Sequence, residues 1–322
     1  CKRASKLLLP PISTLRHRIS RIFGTALGCQ LSKLKRRFPK LQPLLTLARF
    51  DRPIGIYLLL WPTLWALWIA SDGQPSFHLF FVFFIGTVLT RSAGCIINDL
   101  ADRKFDGQVK RTSTRPLVTG ELEVGDAFIF LFVLLFAALV LVLTTNLLTF
   151  GLAVVAAVIA GIYPLMKRYT YLPQVVLGVA FSMGIPMAFS AVTGAVPIIA
   201  WLLMIANLVW TVAYDTQLAM VDRDDDLKLG LKSSAILFGD LDKVIIGILQ
   251  LSFVWIMVMI AQRLSLGSFF YLGLTIAGAL LLHQQYLIKD RDRDHCFASF
   301  LSNHWVGLAI FFGICLHYFF LN

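Results

Sequence analysis

Hydrophobic positions in this chain come in long unbroken runs. Apolar stretches occupy about 54–71, 77–97, 127–143, 147–165, 173–192, 197–214, 243–261, 268–287 and 304–321. Each is close to the roughly 20 residues that a helix needs to cross a bilayer. Backbone amides in hydrocarbon must be satisfied within the segment, which selects helices. The pattern therefore predicts an all-α polytopic membrane protein of nine transmembrane helices. Thr144-Thr145-Asn146 is short enough for the third and fourth segments to be mistaken for one kinked helix. Pro53-Ile54-Gly55 and Trp61-Pro62 mark the entry and a bend of the first segment, and Gly184-Ile185-Pro186 a bend of the fifth. Trp61, Trp65 and Trp68 recur at i, i+4 and i+7. They read either as a packing or interfacial stripe or as the wall of a pocket.

The polar positions between the runs set an orientation. Every loop cation from Arg103 to Arg293, except Arg263, falls in a connection after an even-numbered segment. By the positive-inside rule those connections, and the N-terminus, lie on the cytoplasmic side.

Composition agrees with a membrane protein: 58% of the 322 residues are hydrophobic and only 15% charged. The formal net charge of +11 has a local origin, because residues 1–50 are rich in Lys and Arg and carry no acid before Asp51. This basic run reads as a segment lying on anionic headgroups, as an organelle-targeting presequence, or as sequence upstream of the functional unit. Nucleic-acid binding is a poor fit, because no soluble domain accompanies the run. Cys1, Cys29, Cys95, Cys296 and Cys315 form no C-x-x-C pair, and the six histidines show no metal-ligand spacing.

Two acidic clusters stand out against this background. Asn98-Asp99-x-x-Asp102-x-x-x-Asp106 ends the second segment, and Asp215 with Asp222-Arg223-Asp224-Asp225-Asp226 ends the sixth. Carboxylates at a bilayer edge are costly and point to a site. Asn98, Asp102 and Asp106 fall at i, i+4 and i+8, and Asp215, Asp222 and Asp226 at i, i+7 and i+11, which assigns each trio to one helical face. Four segments separate the clusters, so both end on the same side and can face one cavity. Two faces of hard oxygen ligands suit Mg²⁺, and the guest such a site would take is a metal-bound diphosphate. Lys110, Arg111 and Arg115 follow the first cluster and would add cations for that anion. Arg91 lies two turns before Asn98, about 10 Å deeper. It is either a counter-ion for the aspartates or a fork for an anionic acceptor.

The Asn-Asp-x-x-Asp-x-x-x-Asp motif, the Tyr214-Asp215-Thr216-Gln217 and Ala219-Met220-Val221-Asp222 runs, Lys232-Ser233-Ser234-Ala235 and Tyr163-Pro164-Leu165-Met166-Lys167-Arg168-Tyr169 together resemble the UbiA superfamily of intramembrane prenyltransferases. Within it the chain is most similar to the bacterial 4-hydroxybenzoate polyprenyltransferases of ubiquinone synthesis. The likeness runs from about Leu47 onward, which implies a prenyltransferase domain over 46–322 and a basic extension over 1–45. Leu218 stands where the family usually has Tyr. The resemblance implies a nine-helix bundle around a central cavity. It further implies that Asn98, Asp102, Asp106, Asp215, Asp222 and Asp226 hold Mg²⁺ and the diphosphate of a polyprenyl donor. Arg111, Arg115 and Lys167 would assist, Arg91 would lie near 4-hydroxybenzoate, and Asp215 is a candidate for polarising its phenol. The implied location is a bacterial inner membrane, with a mitochondrial inner membrane as the alternative. Competing expectations are prenyl transfer to another aromatic acceptor, and a cation-coupled transporter, for which carboxylates nearer mid-bilayer would be expected.

Overall fold

The computed structural model describes residues 39–108 and 112–321, and among them only helices and connections occur. The helices are α1 Leu41–Leu47, α2 Ile54–Ala70, α3 Phe77–Asp106, α4 Pro116–Thr119, α5 Val124–Val142, α6 Leu147–Ile162 and α7 Met166–Tyr169. They continue as α8 Pro173–Ser182, α9 Gly184–Thr193, α10 Ile198–Leu229, α11 Ser234–Phe238, α12 Asp242–Arg263, α13 Ser268–Leu287 and α14 Arg293–Leu321. All nine apolar stretches are largely helical, the fifth of them as two helices, α8 and α9. Seven spans among the described residues are long and apolar enough to cross a membrane, and the chain is a multi-pass membrane protein. The other two segments are helical but differ: α2 has only 17 residues, and α13 carries His283, Gln284 and Gln285 in its last two turns. The N-terminal basic run up to residue 38 lies outside the described residues.

Helix ends follow local chemistry. Asn146 accepts a hydrogen bond from the Thr149 amide and starts α6, so the connection after α5 is a true break. At Met183 the chain leaves the helix between α8 and α9, next to Gly184 and Pro186. Gly184 is required there: a Cβ would stand 2.3 Å from the Thr63 hydroxyl of α2. Gly184→Val is expected to force α2 and α9 apart and to lower stability by about 1–3 kcal/mol. Thermal unfolding in detergent measures it, and an unchanged melting temperature would refute the close-approach argument.

The two acidic helices run well past their apolar parts. α3 continues to Asp106 and α10 to Leu229, where Gly230 at φ 68° closes the end and the Leu231 amide returns to the Asp226 carbonyl. Hydropathy stops where the charges begin, but Arg, Lys, Leu, Ala and Met are good helix formers and carry the less favourable Asp residues along. Both clusters are therefore carried on rigid helix.

The interior is held by aromatic stacking and a polar chain. Trp65 stacks on Trp210 and Phe253, with centroids 5.5 and 6.4 Å away, and donates to the Gly307 carbonyl at 3.0 Å. Trp61, Trp65 and Trp68 thus pack in the bundle, and none lines the cavity described below. Gln217 and Gln250 both donate to Gln284 Oε1, at 3.1 and 2.9 Å, and Asn303 joins Gln217 to Trp210. In an apolar bundle unpaired amides would cost several kcal/mol each, and here they satisfy one another. By contrast α5 and α6 leave their phenylalanines and valines on the outside, Phe132 and Val158 among them, as lipid-facing helices do. α1 rests against α3 and α4. Just before it, Lys40 pairs with Asp126 at 2.8 Å, a bond that raises the lysine's pKa.

Candidate active site

Two helix ends, those of α3 and α10, and one connection meet at the mouth of a single cavity. Arg168 donates to the Ala101 carbonyl at 2.9 Å, which ties the 163–170 connection to the end of α3. The Lys232 amide donates to the Lys167 carbonyl at 3.1 Å, which ties it to the chain after α10. The cavity encloses about 580 Å³. Its deeper walls come from α5, α6, α8 and α9, with Leu139, Phe150, Val154 and Met187 among them, and its polar end from α3 and α10.

Most of the residues singled out from sequence meet here. Arg91, Asn98, Arg115, Lys167, Asp215, Asp222 and Asp226 all line the cavity. Asp102 and Asp106 sit on the same end of α3 but are not among its lining residues. They lie one and two turns beyond Asn98 along α3, about 6 and 12 Å nearer the connection that follows. Steps of seven and eleven return to within about 20° of the start, so Asp215, Asp222 and Asp226 keep one face. Lys110 and Arg111 lie outside the described residues.

Asp106 is instead buried and paired with Arg115, whose Nη1 also lies 3.0 Å from Asp99 Oδ1. Pro116 holds the preceding Arg115 in an extended conformation (φ −66°, ψ 142°), so the arginine points back across α3. The middle of the second cluster is structural. Asp224 and Asp225 pair with Arg293 at 3.0 and 3.2 Å, and Arg223 faces the fully buried Asp242, which Arg291 also holds.

Arg91 lines the cavity from α3. Its Nη1 donates to the Cys95 thiol at 2.7 Å, its guanidinium lies 5.7 Å from the Phe181 ring centroid, and its buried Nε has no partner among the described residues. Such a group is ready for an anion. Two residues that sequence reasoning passed over also line the cavity. Asp99 is adjacent to Asn98 in the same motif, and Arg49 was lost among the basic residues of 1–50. The signal for Asp99 was its place in the acidic motif, whereas nothing local marked Arg49.

All carboxylate and amide donors at the polar end are hard oxygens. Among the described residues no three His, Cys, Asp or Glu side chains converge on one point. Mg²⁺ takes few protein ligands and completes its shell with water and phosphate oxygens. The donor set therefore fits an ion that arrives with a phosphorylated guest better than a closed protein cage.

The UbiA prenyltransferase family model matches residues 59–312. A 4-hydroxybenzoate octaprenyltransferase of Pseudomonas syringae pv. tomato is 54% identical over 288 residues, covering 89% of this chain and 97% of that protein. One from Photobacterium profundum is 56% identical over 270 residues, covering 84% and 94%. Among solved structures, a UbiA homolog from Aeropyrum pernix K1 aligns with a TM-score of 0.71 at 22% identity, over 80% of this chain and 97% of that one. A UbiA homolog from Archaeoglobus fulgidus, bound to GPP and Mg²⁺, gives 0.63 at 20% identity, over 85% and 99%.

Proposed function

The chain belongs to the UbiA prenyltransferase family, and from that premise we propose that it transfers a polyprenyl group from polyprenyl diphosphate to 4-hydroxybenzoate. Attack at the ring carbon ortho to the hydroxyl gives 3-polyprenyl-4-hydroxybenzoate for ubiquinone synthesis. The observation that carries this reading is one cavity with carboxylates and cations at its polar end and long apolar walls behind. A diphosphate and a polyprenyl chain have that same division.

Arg115 and Lys167 bind the diphosphate, with Lys110 and Arg111 from the neighbouring connection. Asn98, Asp102, Asp106, Asp215, Asp222 and Asp226 would hold Mg²⁺, which when bound supplies charge neutralisation for the departing diphosphate. The allylic C–O bond breaks and its electron pair leaves with the diphosphate. Arg91 forks onto the carboxylate of the acceptor and holds the ring beside the allylic carbon. A ring-carbon electron pair forms the new C–C bond, and the ring proton is then lost. Asp215 polarises the phenol hydroxyl. Leu139, Val154 and Met187 keep water away from the allylic cation.

Supporting orientation, the loop cations gather on the side that carries the acidic helix ends, which favours the cytoplasmic face of a bacterial inner membrane. Labelling of single cysteines in the 107–115 connection from the other face would reverse it. The proposed catalytic body is residues 46–322, with 1–45 as a basic extension to it.

The test is transfer from polyprenyl diphosphate onto labelled 4-hydroxybenzoate by the full chain in detergent. Product with Mg²⁺ and none with excess EDTA is expected. Turnover only on a different aromatic acid would reassign the acceptor, and silence on every acceptor would end the enzyme reading.

Gly55 gives a sharper check on Arg91. A Cβ there would stand 2.2 Å from Arg91 Nε. The flexible arginine would yield before the helices do. Gly55→Ala is expected to raise the KM for hydroxybenzoate several-fold, with the donor KM and melting temperature unchanged. Equal shifts in both KM values would remove Arg91 from acceptor binding.

A further inference from the structure

Arg49 occupies a place where the fold alone would favour glycine. It follows α1 with φ at +62°, and its neighbours close the helix through Arg49 amide to Thr46 carbonyl and Phe50 amide to Leu45 carbonyl bonds. That is the left-handed position at which helices commonly end on glycine. A side chain there carries a backbone cost that glycine avoids.

What the side chain does is visible. Arg49 Nη2 donates to both oxygens of Asp99, at 2.8 and 3.0 Å, and Nη1 donates to the Thr46 carbonyl at 3.1 Å. Asp99 is 1% exposed, and the same carboxylate lies 3.0 Å from Arg115 Nη1. One buried carboxylate thus fixes two guanidinium groups, and both arginines line the cavity at its polar end. A guanidinium has five N–H donors, and the bonds made by Arg49 engage only part of them.

We propose that Arg49 is a further diphosphate-binding cation of this site and that Asp99 is the positioning residue that holds Arg49 and Arg115 as a pair. This rests on the reading of the cavity as a prenyl diphosphate site. Arg49 recognises the anionic head of the donor and has no part in holding the aromatic acid, which Arg91 serves two turns deeper along α3. Asp99 sets the directions of both arginines, so its carboxylate, adjacent to Asn98, acts through them and does not touch the substrate.

The experiment uses the full chain in detergent, with donor and acceptor concentrations varied separately. Loss of one charge-assisted bond to phosphate corresponds to roughly ten- to a hundredfold in affinity. Arg49→Gln is expected to raise the KM for polyprenyl diphosphate by that range while the KM for hydroxybenzoate stays within about twofold. Arg49→Lys recovers part of the loss. Arg49→Gly, which relieves the backbone, is as defective as Arg49→Gln and melts no lower. Asp99→Asn raises the same donor KM. A second arm needs no acceptor: inorganic pyrophosphate with Mg²⁺ protects the wild type against thermal unfolding and protects Arg49→Gln less. If pyrophosphate discriminates the variants while hydroxybenzoate is not prenylated, the role of Arg49 stands and the acceptor assignment fails. A lowered melting temperature with an unchanged donor KM, or equal shifts in both KM values, overturns the proposal. So does a wild type that pyrophosphate does not protect.

Discussion

Asp222→Asn lowers the kcat of prenyl transfer by about 10²–10³-fold, the usual effect of deleting one electrostatic contact to a developing charge, while the protein keeps its melting temperature. The substitution is nearly isosteric, so packing along α10 is kept. What changes is the ability to hold a divalent cation: a neutral amide oxygen is a much weaker partner for Mg²⁺ than a carboxylate. Asp222 shares its helical face with Asp215 and Asp226, and all three line the cavity. The control lies two residues on. Asp224 belongs to the same acidic run but is 69% exposed and bonded to Arg293, a kind of surface pair worth little. Asp224→Asn is expected to stay within about twofold of wild type. Steady-state rates at saturating donor and acceptor, measured across Mg²⁺ concentrations, decide the matter. Added Mg²⁺ should recover part of the Asp222→Asn deficit. If the two variants lose activity equally, the acidic run acts as a diffuse charged surface and the face assignment is wrong.

This contrast marks where sequence stops being readable. The membrane class, the helix positions and the two acidic ends follow from run length, charge placement and a 3.6-residue period, all of which are local. The second cluster could be sorted further, because spacings of seven and eleven residues stay in phase with the helix. The first could not, because Asp102 and Asp106 lie one and two turns beyond Asn98 and the chain returns through Pro116 to set Arg115 against Asp106, which no spacing announces. Asp99 and Arg49 are fifty positions apart, and their pairing depends on how α1 packs against α3. Periodicity carries no information about that. The Gln217–Gln284–Gln250 chain was equally hidden: each glutamine lies on its own helix, and polar residues in apolar runs do not name their partners. Sequence reading treated Trp61, Trp65 and Trp68 as one stripe with two possible roles. Burial in the bundle resolves it, since Trp65 is fully covered by Trp210 and Phe253.

Arg115→Met is the substitution expected to damage both stability and activity, and the two losses can be separated. Arg115 is the cation that Asp99 and Asp106 share, and those carboxylates are 1% and 8% exposed. Removing a partner from buried charges costs about 3–5 kcal/mol, because the carboxylates left behind are no longer compensated. Arg49 still covers Asp99. Asp106 has no other ion pair among the described residues, so it bears most of the penalty. Arg115→Lys keeps the charge but loses the planar fork, and it falls between the two. The double variant Asp106→Asn with Arg115→Met removes both charges together, and it is expected to regain most of the melting temperature, since neutralising a buried pair is far milder than breaking it. Activity follows a different course. If Arg115 binds the diphosphate as well as bracing α3, the double variant stays about ten- to a hundredfold below the Asp106→Asn single variant in kcat/KM for the donor, since a charged contact to phosphate is gone whatever the fold has recovered. Recovery of turnover in step with stability would leave Arg115 as a brace alone, and the anion would then rest on Lys167 and the remaining cations of the mouth.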